Sequence, residues 1–196
     1  MKNRLAILAV LITAAAFILV GCATTRPSES NFKTPEITLE MLEVPQYDGF
    51  WYYAGSVEPT KGKADDRGAP LPLSFLFSVH NPNPYPVLLD GIRFTVAFDR
   101  DFDLVTVNNQ DKIWIPAGKT SDVRCSTMIT ARSALLALLV TGGYTLQEKG
   151  WTAWEALERW WVGVPDYSVP VTVHEGSAVF RANGVSKVVS IDAEFP

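Results

Sequence analysis

The chain has 196 residues, of which 47% are hydrophobic and 19% are charged. This composition supplies a core for one domain of ordinary size and excludes an intrinsically disordered chain. The 17 basic and 21 acidic residues give a net charge of −4 without a Lys/Arg stripe, so we expect no nucleic-acid partner. Two cysteines exclude a disulfide scaffold and a cysteine-rich metal site.

The first 21 residues have the pattern of a secretory signal. Lys2 and Arg4 precede an uncharged run from Leu5 to Val20, which as a helix is about 24 Å long at about 1.5 Å per residue. That length is below the roughly 30 Å of a bilayer's hydrocarbon core, and small residues follow the run. The alternative is a plain transmembrane anchor followed by an incidental cysteine.

The end of this run, Leu19-Val20-Gly21-Cys22, resembles the lipobox of bacterial lipoproteins. The resemblance implies cleavage between Gly21 and Cys22, a diacylglyceryl group on the Cys22 thiol, and later acylation of the new amino group by a fatty acid such as palmitate. Two or more acyl chains hold a protein stably on a bilayer. We therefore expect a lipoprotein of the bacterial cell envelope. Because Ala23 is not aspartate, the outer membrane is favoured over the inner membrane.

Residues 22–35 are mostly polar and include two prolines, which predicts a lipidated tether between the membrane and a domain over residues 36–196. Within that domain, apolar and polar side chains alternate with period two, which is typical of half-buried strands. The predicted strands cover residues 37–41, 50–56, 73–80, 92–99, 112–115, 121–130, 169–174, 178–182 and 185–195. Asn183-Gly184 predicts a type I′ hairpin. These elements predict an antiparallel β-sandwich, with a β-barrel as the alternative.

Residues 132–162 interrupt the alternation and predict a pair of short helices inserted between strands. Ser133 is expected to cap a helix over Ala134–Val140 that ends at Gly142-Gly143. Thr152 and Glu155 fit a capping box at the start of the second helix. The apolar stripe of that helix contains Ala153, Trp154, Leu157, Trp160 and Trp161.

Four tryptophans are concentrated in this insertion: Trp151, Trp154, Trp160 and Trp161. One interpretation is an aromatic stripe that packs on the sheet as part of the core. The other is a candidate interface with a protein or lipid partner, because indole combines an apolar body with one hydrogen-bond donor.

The segment from Phe75 to Phe94 resembles the late-embryogenesis-abundant group 2 family, whose domain is also called WHy. The matching residues are Phe75, Phe77, Val79, Asn81, Pro82, Asn83, Tyr85, Pro86, Leu89, Gly91 and Phe94. Residues 113–118, 121–130, 167–172 and 178–180 are similar to later segments of that family. The resemblance implies an immunoglobulin-like or fibronectin-III-like sandwich without established catalysis. It also implies a protective role under desiccation and similar water stress, by binding other macromolecules or surfaces.

The Asn-Pro-Asn-Pro-Tyr-Pro run within this segment has a structural interpretation. Prolines remove backbone donors and fix φ, so a strand must end there. Asn81 and Asn83 can bond to nearby backbone groups as Asx turns. The alternative is that the two amides contact a ligand.

No residue is assigned a catalytic role, and no cofactor motif is present. His80 and His174 fall on the polar sides of their strands and lie in no nucleophile motif, so solvated surface histidines are expected. Asp99–Asp103 has the spacing of the start of a calcium loop, but the sixth and twelfth positions are Leu104 and Gln110. A solvated turn without metal is therefore expected.

The second cysteine, Cys125, alternates with Val123 and is expected to face the core as a structural thiol.

Taken together, these observations predict a lipid-anchored, non-catalytic envelope protein with a stress-protection binding domain. The alternative is a structural, assembly or lipid-handling subunit of an envelope complex, and a hydrolase is the third hypothesis.

Overall fold

The computed structural model describes residues 26–45 and 69–195. The expected signal helix, Cys22 and the strand expected at residues 50–56 lie outside these ranges. The described strands are β1 (Glu36–Glu43), β2 (Pro70–His80), β3 (Val87–Phe98), β4 (Phe102–Asn109), β5 (Ile113–Ile115), β6 (Thr120–Thr130), β7 (Val171–Ala182) and β8 (Val185–Phe195). The described helices are α1 (Ala131–Val140), α2 (Gly143–Lys149) and α3 (Ala153–Gly163). None of these helices is long and apolar enough to cross a membrane.

Two antiparallel sheets confirm the predicted β-sandwich with a helical insertion. One sheet has the order β1-β2-β6, and the other has the order β4-β3-β7-β8 with β5 beside the start of β3. Alternate side chains of β2 and β3 fill the space between the sheets. Phe94 contacts Phe75 and Phe77 edge to face, with ring centroids 5.1 Å and 5.3 Å apart. Such aromatic pairs contribute about 0.5–1.5 kcal/mol beyond the apolar area that they bury.

The runs predicted as separate strands at residues 169–174 and 178–182 form the single strand β7. The buried residues of β7 have odd numbers as far as Val173, and after an irregular segment at residues 174–176 they have even numbers from Ala178 onward. The change occurs at Glu175, which has a φ of 49°, and at Gly176, where an added Cβ would lie 2.5 Å from the carbonyl oxygen of Ile191. A β-bulge inserts one residue, so the side-chain alternation changes phase within a continuous strand.

Strand β4 is absent from the sequence prediction for a similar reason. Its pairing with β3 shifts register between Val96 and Ala97, so its buried residues, Phe102 and Val107, do not follow one alternation. The turn before it has positive φ at Asp99 (48°) and Arg100 (70°).

The hairpin predicted at Asn183-Gly184 is confirmed, with φ values of 47° and 83°. Positive φ at both central residues is the requirement of a type I′ turn.

The insertion contains three helices, whereas the sequence predicts two. Helix α1 begins at Ala131 because Thr130 is its N-cap and Ser133 completes a reciprocal capping box, so Ser133 is not itself the cap. Helix α2 is short and ends at Gly150, whose φ of 67° is left-handed. The predicted capping box of α3 is confirmed, since the Thr152 hydroxyl accepts a hydrogen bond from the Glu155 backbone N–H. Thr152 in turn donates to the Glu155 carboxylate and lowers its pKa.

The strand directions give the sandwich two distinct ends. At the end that we call the crossover end, residues 81–86 connect β2 to β3, and the 116–119 turn and the β7–β8 hairpin lie at the same end. At the opposite end, which we call the helical end, β6 leads into α1 and the 99–101 turn joins β3 to β4. The pairing of β2 with β6 runs from Pro70 and Thr130 to His80 and Thr120. Ten steps of about 3.3 Å separate the two ends by about 33 Å.

Candidate functional site

The buried side chain of Asn81 joins three segments at the crossover end. Its Nδ2 donates to the carbonyl oxygens of Tyr85 (2.9 Å), Ile115 (3.1 Å) and Pro116 (3.2 Å). Its Oδ1 accepts from the backbone N–H of Asn83 (3.0 Å), which is the Asx turn that the sequence predicts. The end of β2, the start of β3 and the turn after β5 are thereby held to one amide group.

The neighbouring Asn83 binds the N-terminal segment as a strand partner would. Its Oδ1 accepts from the backbone N–H of Lys33 (2.7 Å), and its Nδ2 donates to the Lys33 carbonyl oxygen (2.8 Å). Its Nδ2 also lies 3.0 Å from the Oδ1 of Asn81. Both amides therefore bond within the protein, as in the structural interpretation, and the ligand-contact alternative receives no support.

Residues 28–33, which the sequence assigns to a tether, are packed on the domain. Phe32 is buried, and its ring centroid lies 6.4 Å from that of Tyr85. The Tyr85 hydroxyl donates to the Oδ1 of Asn31 (2.8 Å), and the ammonium of Lys187 lies 5.7 Å from the centroid of the Phe32 ring. The chain is thus attached to the crossover end several residues before β1 begins.

At the helical end, Trp160 fixes the helical insertion to the sandwich. Its ring is completely buried and contacts Phe98 and Phe102 edge to face, with centroids 5.6 Å and 5.2 Å apart. Its Nε1 donates to the Oδ2 of Asp99 at 2.8 Å. Trp161 is also buried. These two tryptophans therefore belong to the core, and their assignment to a candidate partner interface is corrected.

The other two tryptophans of the insertion are accessible to different degrees. Trp151 is half-buried and stacks on Phe102, with ring centroids 6.1 Å apart, while Lys149 and Arg159 lie within 6 Å of its own ring. Trp154 has 43% of its surface exposed, although the helical stripe groups it with the buried residues. Of the four, Trp154 is the residue whose ring is most available to a partner.

The Asp99–Asp103 segment binds the helical insertion, whereas the sequence predicts a solvated turn. The Asp99 side chain is 8% exposed and accepts hydrogen bonds from the Nε and a terminal nitrogen of Arg159 at 2.9–3.2 Å, in addition to the bond from Trp160. These contacts raise the pKa of Arg159. Asp101 pairs with Lys149 (2.8 Å). The prediction for Asp99 was wrong because nothing local in the sequence shows that a distant helix covers the turn.

The remaining polar candidates also have partners on the surface. The Nε2 of His174 lies 2.8 Å from the Oδ1 of Asp103, and the Nδ1 of His80 lies 3.1 Å from the Thr120 hydroxyl. Within residues 26–45 and 69–195, no three His, Cys, Asp or Glu side chains are grouped so that they could hold a metal.

Cys125 is buried as predicted, and burial raises the pKa of its thiol to about 11. At neutral pH this thiol is protonated and therefore a poor nucleophile.

One face of helix α1 presents large apolar side chains to water. Leu136, Leu139 and Val140 are 55–80% exposed, and Tyr144 at the start of α2 extends the same region. Positions i, i+3 and i+4 share one side of a helix. We call these four residues the apolar face. The sequence does not reveal this face, because residues 134–140 are all apolar and give no indication of which side the sandwich covers.

A small cleft lies between β4 and the end of α1. It has a volume of about 110 Å³ and is lined by residues 101–104 on one side and by Ala137, Leu138, Thr141 and Gly142 on the other. Ligand pockets typically have volumes of roughly 300–1,000 Å³. The cleft is therefore too small for a ligand of ordinary size.

No protein-family model and no curated protein sequence matches the chain. Among solved structures, the chain is similar to a crystal structure of a protein from Archaeoglobus fulgidus, with 11% identity, coverage of 80% of this chain and 94% of that one, and a TM-score of 0.42. It is also similar to a crystal structure described as ApaA from Bordetella pertussis (10% identity, 83% and 93% coverage, TM-score 0.43). A third similar structure is a solution structure described as a late-embryogenesis-abundant protein (10% identity, 99% and 85% coverage, TM-score 0.31). Similarity at this level carries no argument about function.

Replacing Trp160 by alanine should destabilise the protein by about 3–5 kcal/mol, because the change leaves a cavity and removes the indole donor from Asp99. Urea unfolding followed by circular dichroism measures this loss. Trp154→Ala is the matched control and should cost less than half as much, since 43% of that residue's surface is already exposed to water. Losses of equal size at the two positions would contradict the division between core and surface.

Asn81→Asp keeps the shape of the side chain but places a carboxylate against three carbonyl oxygens. At pH 7 we expect a loss of roughly 3 kcal/mol, because a buried charge loses its water without gaining donors. The folded state should raise the pKa of the new carboxyl above its unfolded value of about 3.9. The penalty is then smallest near pH 4 and grows as the pH rises through the folded pKa.

Unfolding free energies of the Asn81→Asp variant at pH 4 and pH 7 test this expectation. Asn108→Asp, at an exposed position of β4, is the control and should show little change at either pH. A penalty at position 81 that is independent of pH would show that the amide does not donate to buried carbonyl groups.

Proposed function

We propose that the protein is a lipid-anchored, non-catalytic binding protein of a bacterial cell envelope. The anchor is supported by the lipobox-like residues Leu19–Cys22 and by the small residues and uncharged run that surround the cleavage point. Binding is supported by the apolar face of α1, and this exposed face is the observation that carries the proposal.

The apolar face is suited to binding because it is exposed and firmly supported. On the other side of α1, Ala134 and Leu138 are buried in the core. Helix α3 is held in place by Trp160 and Asp99, so the insertion does not depend on a partner for its position. Large apolar side chains that remain together on a protein surface typically mark an interaction site.

The partner that we propose is an apolar segment of another protein that has become exposed under stress. Residues at i, i+3 and i+4 of a helix present a continuous apolar strip to such a segment. Covering the segment would prevent its self-association and would require no chemical step. This role corresponds to the protection under water stress that the late-embryogenesis-abundant resemblance of Phe75–Phe94 implies.

The ionisable groups around the insertion support binding over catalysis. Asp99, Asp101 and Asp103 are each paired with a cation or a ring nitrogen of another element. The cleft beside them is smaller than a typical ligand site and is lined largely by polar groups. A lipid-handling subunit, the alternative drawn from the sequence, needs an apolar cavity, and this cleft does not supply one.

Leu139→Ser combined with Val140→Ser should abolish most of the protective activity, because the two changes place hydroxyl groups in the centre of the apolar face. The measurement is light scattering by citrate synthase that is dried and rehydrated with the protein. The wild-type chain should suppress the scattering, and the double variant should lose at least half of that suppression.

The matched control is Val188→Ser, which changes an equally exposed valine on β8, remote from the insertion. This variant should protect the enzyme as well as the wild-type chain does. Full protection by the double variant, or an equal loss in the control, would show that the apolar face is not the binding site.

The anchor is tested separately by mass spectrometry of protein extracted from membranes. We expect a mature chain that begins at Cys22 and carries the mass of a diacylglyceryl group and an added acyl chain. Cys22→Ala should leave the chain uncleaved and unmodified, because the thiol is the site of alkylation. An intact Met1 or a free Cys22 thiol in the wild-type chain would refute lipid anchoring.

A further inference from the structure

We propose that the crossover end of the sandwich sits on the anionic phospholipid surface of the membrane that holds the chain, with the helical end directed away from it. The inference rests on the proposed attachment at the N-terminus. It adds the orientation of the domain, the surface that contacts the membrane, and the class of lipid that the surface prefers.

The length of chain before the described residues fixes the crossover end near the point of attachment. Cys22 precedes Arg26 by four residues, which reach at most about 14 Å at about 3.5 Å per residue. From Asn31 to Lys33 the chain is already bonded to Tyr85 and Asn83. A lipid on Cys22 must therefore lie close to the crossover end, and the helical end lies about 33 Å beyond it.

The charges at the two ends fit this orientation. The crossover-end segments 26–35, 81–86, 116–119 and 183–184 contain Arg26, Lys33 and Lys119 but one acidic residue, Glu29, which gives 3 − 1 = +2. The three basic residues are exposed, and none forms an ion pair with another described residue. Basic residues close to an anionic bilayer are attracted to it.

The helical end has the opposite charge. Residues 99–101 and 131–170 contain the basic residues Arg100, Arg132, Lys149 and Arg159 and the acidic residues Asp99, Asp101, Glu148, Glu155, Glu158 and Asp166, which gives 4 − 6 = −2. An anionic surface would repel this end. The charge difference between the ends therefore favours one orientation over its reverse.

An exposed tryptophan lies beside the crossover end. Trp114 is in β5 opposite Leu88, two residues before the 116–119 turn, and 61% of its surface is exposed. Tryptophan is enriched at membrane–water interfaces, where its ring occupies the level of the headgroups. Trp114 supplies such a ring on the flank of the basic end.

This orientation also determines what the apolar face can meet. Leu136, Leu139 and Val140 lie on the helix that follows the far end of β6, so they cannot reach the bilayer that anchors the chain. The face is thereby kept free for a partner in the surrounding compartment. Contact with lipid and contact with protein are assigned to opposite ends of the domain.

Two single-cysteine variants of the full chain, Lys119→Cys and Arg132→Cys, measure the orientation. The two positions flank β6 at its opposite ends. Cys22 carries the lipid, and Cys125 is buried, so a maleimide dye labels the introduced thiol. The labelled protein is reconstituted into vesicles of phosphatidylglycerol and phosphatidylethanolamine that contain a rhodamine-headgroup acceptor.

Energy transfer to the headgroup acceptor should be strong from position 119 and weak from position 132. Equal transfer, or stronger transfer from position 132, would overturn the inference. Vesicles of phosphatidylcholine should reduce transfer from position 119, because they remove the attraction of Arg26 and Lys33. Unchanged transfer on phosphatidylcholine would refute the assigned lipid class.

Charge reversal provides the matched comparison in the Lys119→Cys background. Arg26→Glu with Lys33→Glu should reduce transfer, since each basic residue near an anionic surface strengthens the contact about fivefold. The control pair is Arg93→Glu with Arg132→Glu. It makes the same change in net charge at positions away from the crossover end, so energy transfer should remain unchanged. Equal effects of the two pairs would contradict a specific basic contact surface.

The intact mass of the same samples separates this inference from the proposed anchor. A second pair of labelled variants also carries Cys22→Ser, which should prevent both lipidation and cleavage. Residues 1–21 then remain on the chain and attach it to the vesicle next to position 22. The pattern of transfer in that pair tests the orientation without lipid on Cys22. A lipidated sample with equal transfer from both positions refutes the orientation alone, whereas an unmodified Cys22 with unequal transfer refutes lipidation alone.

Discussion

The buried amide of Asn81 is the interaction on which the organisation of the molecule depends. A buried amide must find hydrogen-bond partners, and Asn81 finds them on the backbone at two places, Tyr85 before β3 and Ile115–Pro116 after β5. Its neighbour Asn83 extends the same network to the N-terminal segment through Lys33. The point at which the chain reaches the sandwich is therefore determined by side-chain amides, because the prolines in this region end the strand pairing that would otherwise position it.

A second fixed point, Asp99, organises the opposite end. Its buried carboxylate accepts from Trp160 and Arg159, so the turn between β3 and β4 holds the last helix of the insertion. Helix α1 packs against this helix and against β4 and β6, and it leaves Leu139 and Val140 exposed. The two fixed points lie at opposite ends of the same strands. In the proposed function, this arrangement separates attachment to a membrane from binding of a partner.

The sequence predicts the elements whose signals are local, and it does not predict the contacts that join them. Asn183-Gly184 and the capping box of Thr152 are confirmed, because backbone φ and a bond three residues away determine each of them. Trp154 and Trp160 share one helical stripe, yet the first is exposed and the second is buried. Asp99 resembles any acidic turn residue until α3 covers it. Such differences arise from tertiary packing, which the periodicity of apolar residues and the spacing of motif residues do not show.

Hydrogen exchange of the Asn81 side-chain amide, followed by NMR of the 15N-labelled protein, tests the central claim most directly. We predict that its two protons exchange as slowly as the backbone amides in the centre of β2, because they become accessible only when the sandwich unfolds. The exposed side chain of Asn108 supplies the rate of an unprotected amide. Exchange at Asn81 as fast as that of Asn108 would show that the crossover end is not held together by this group.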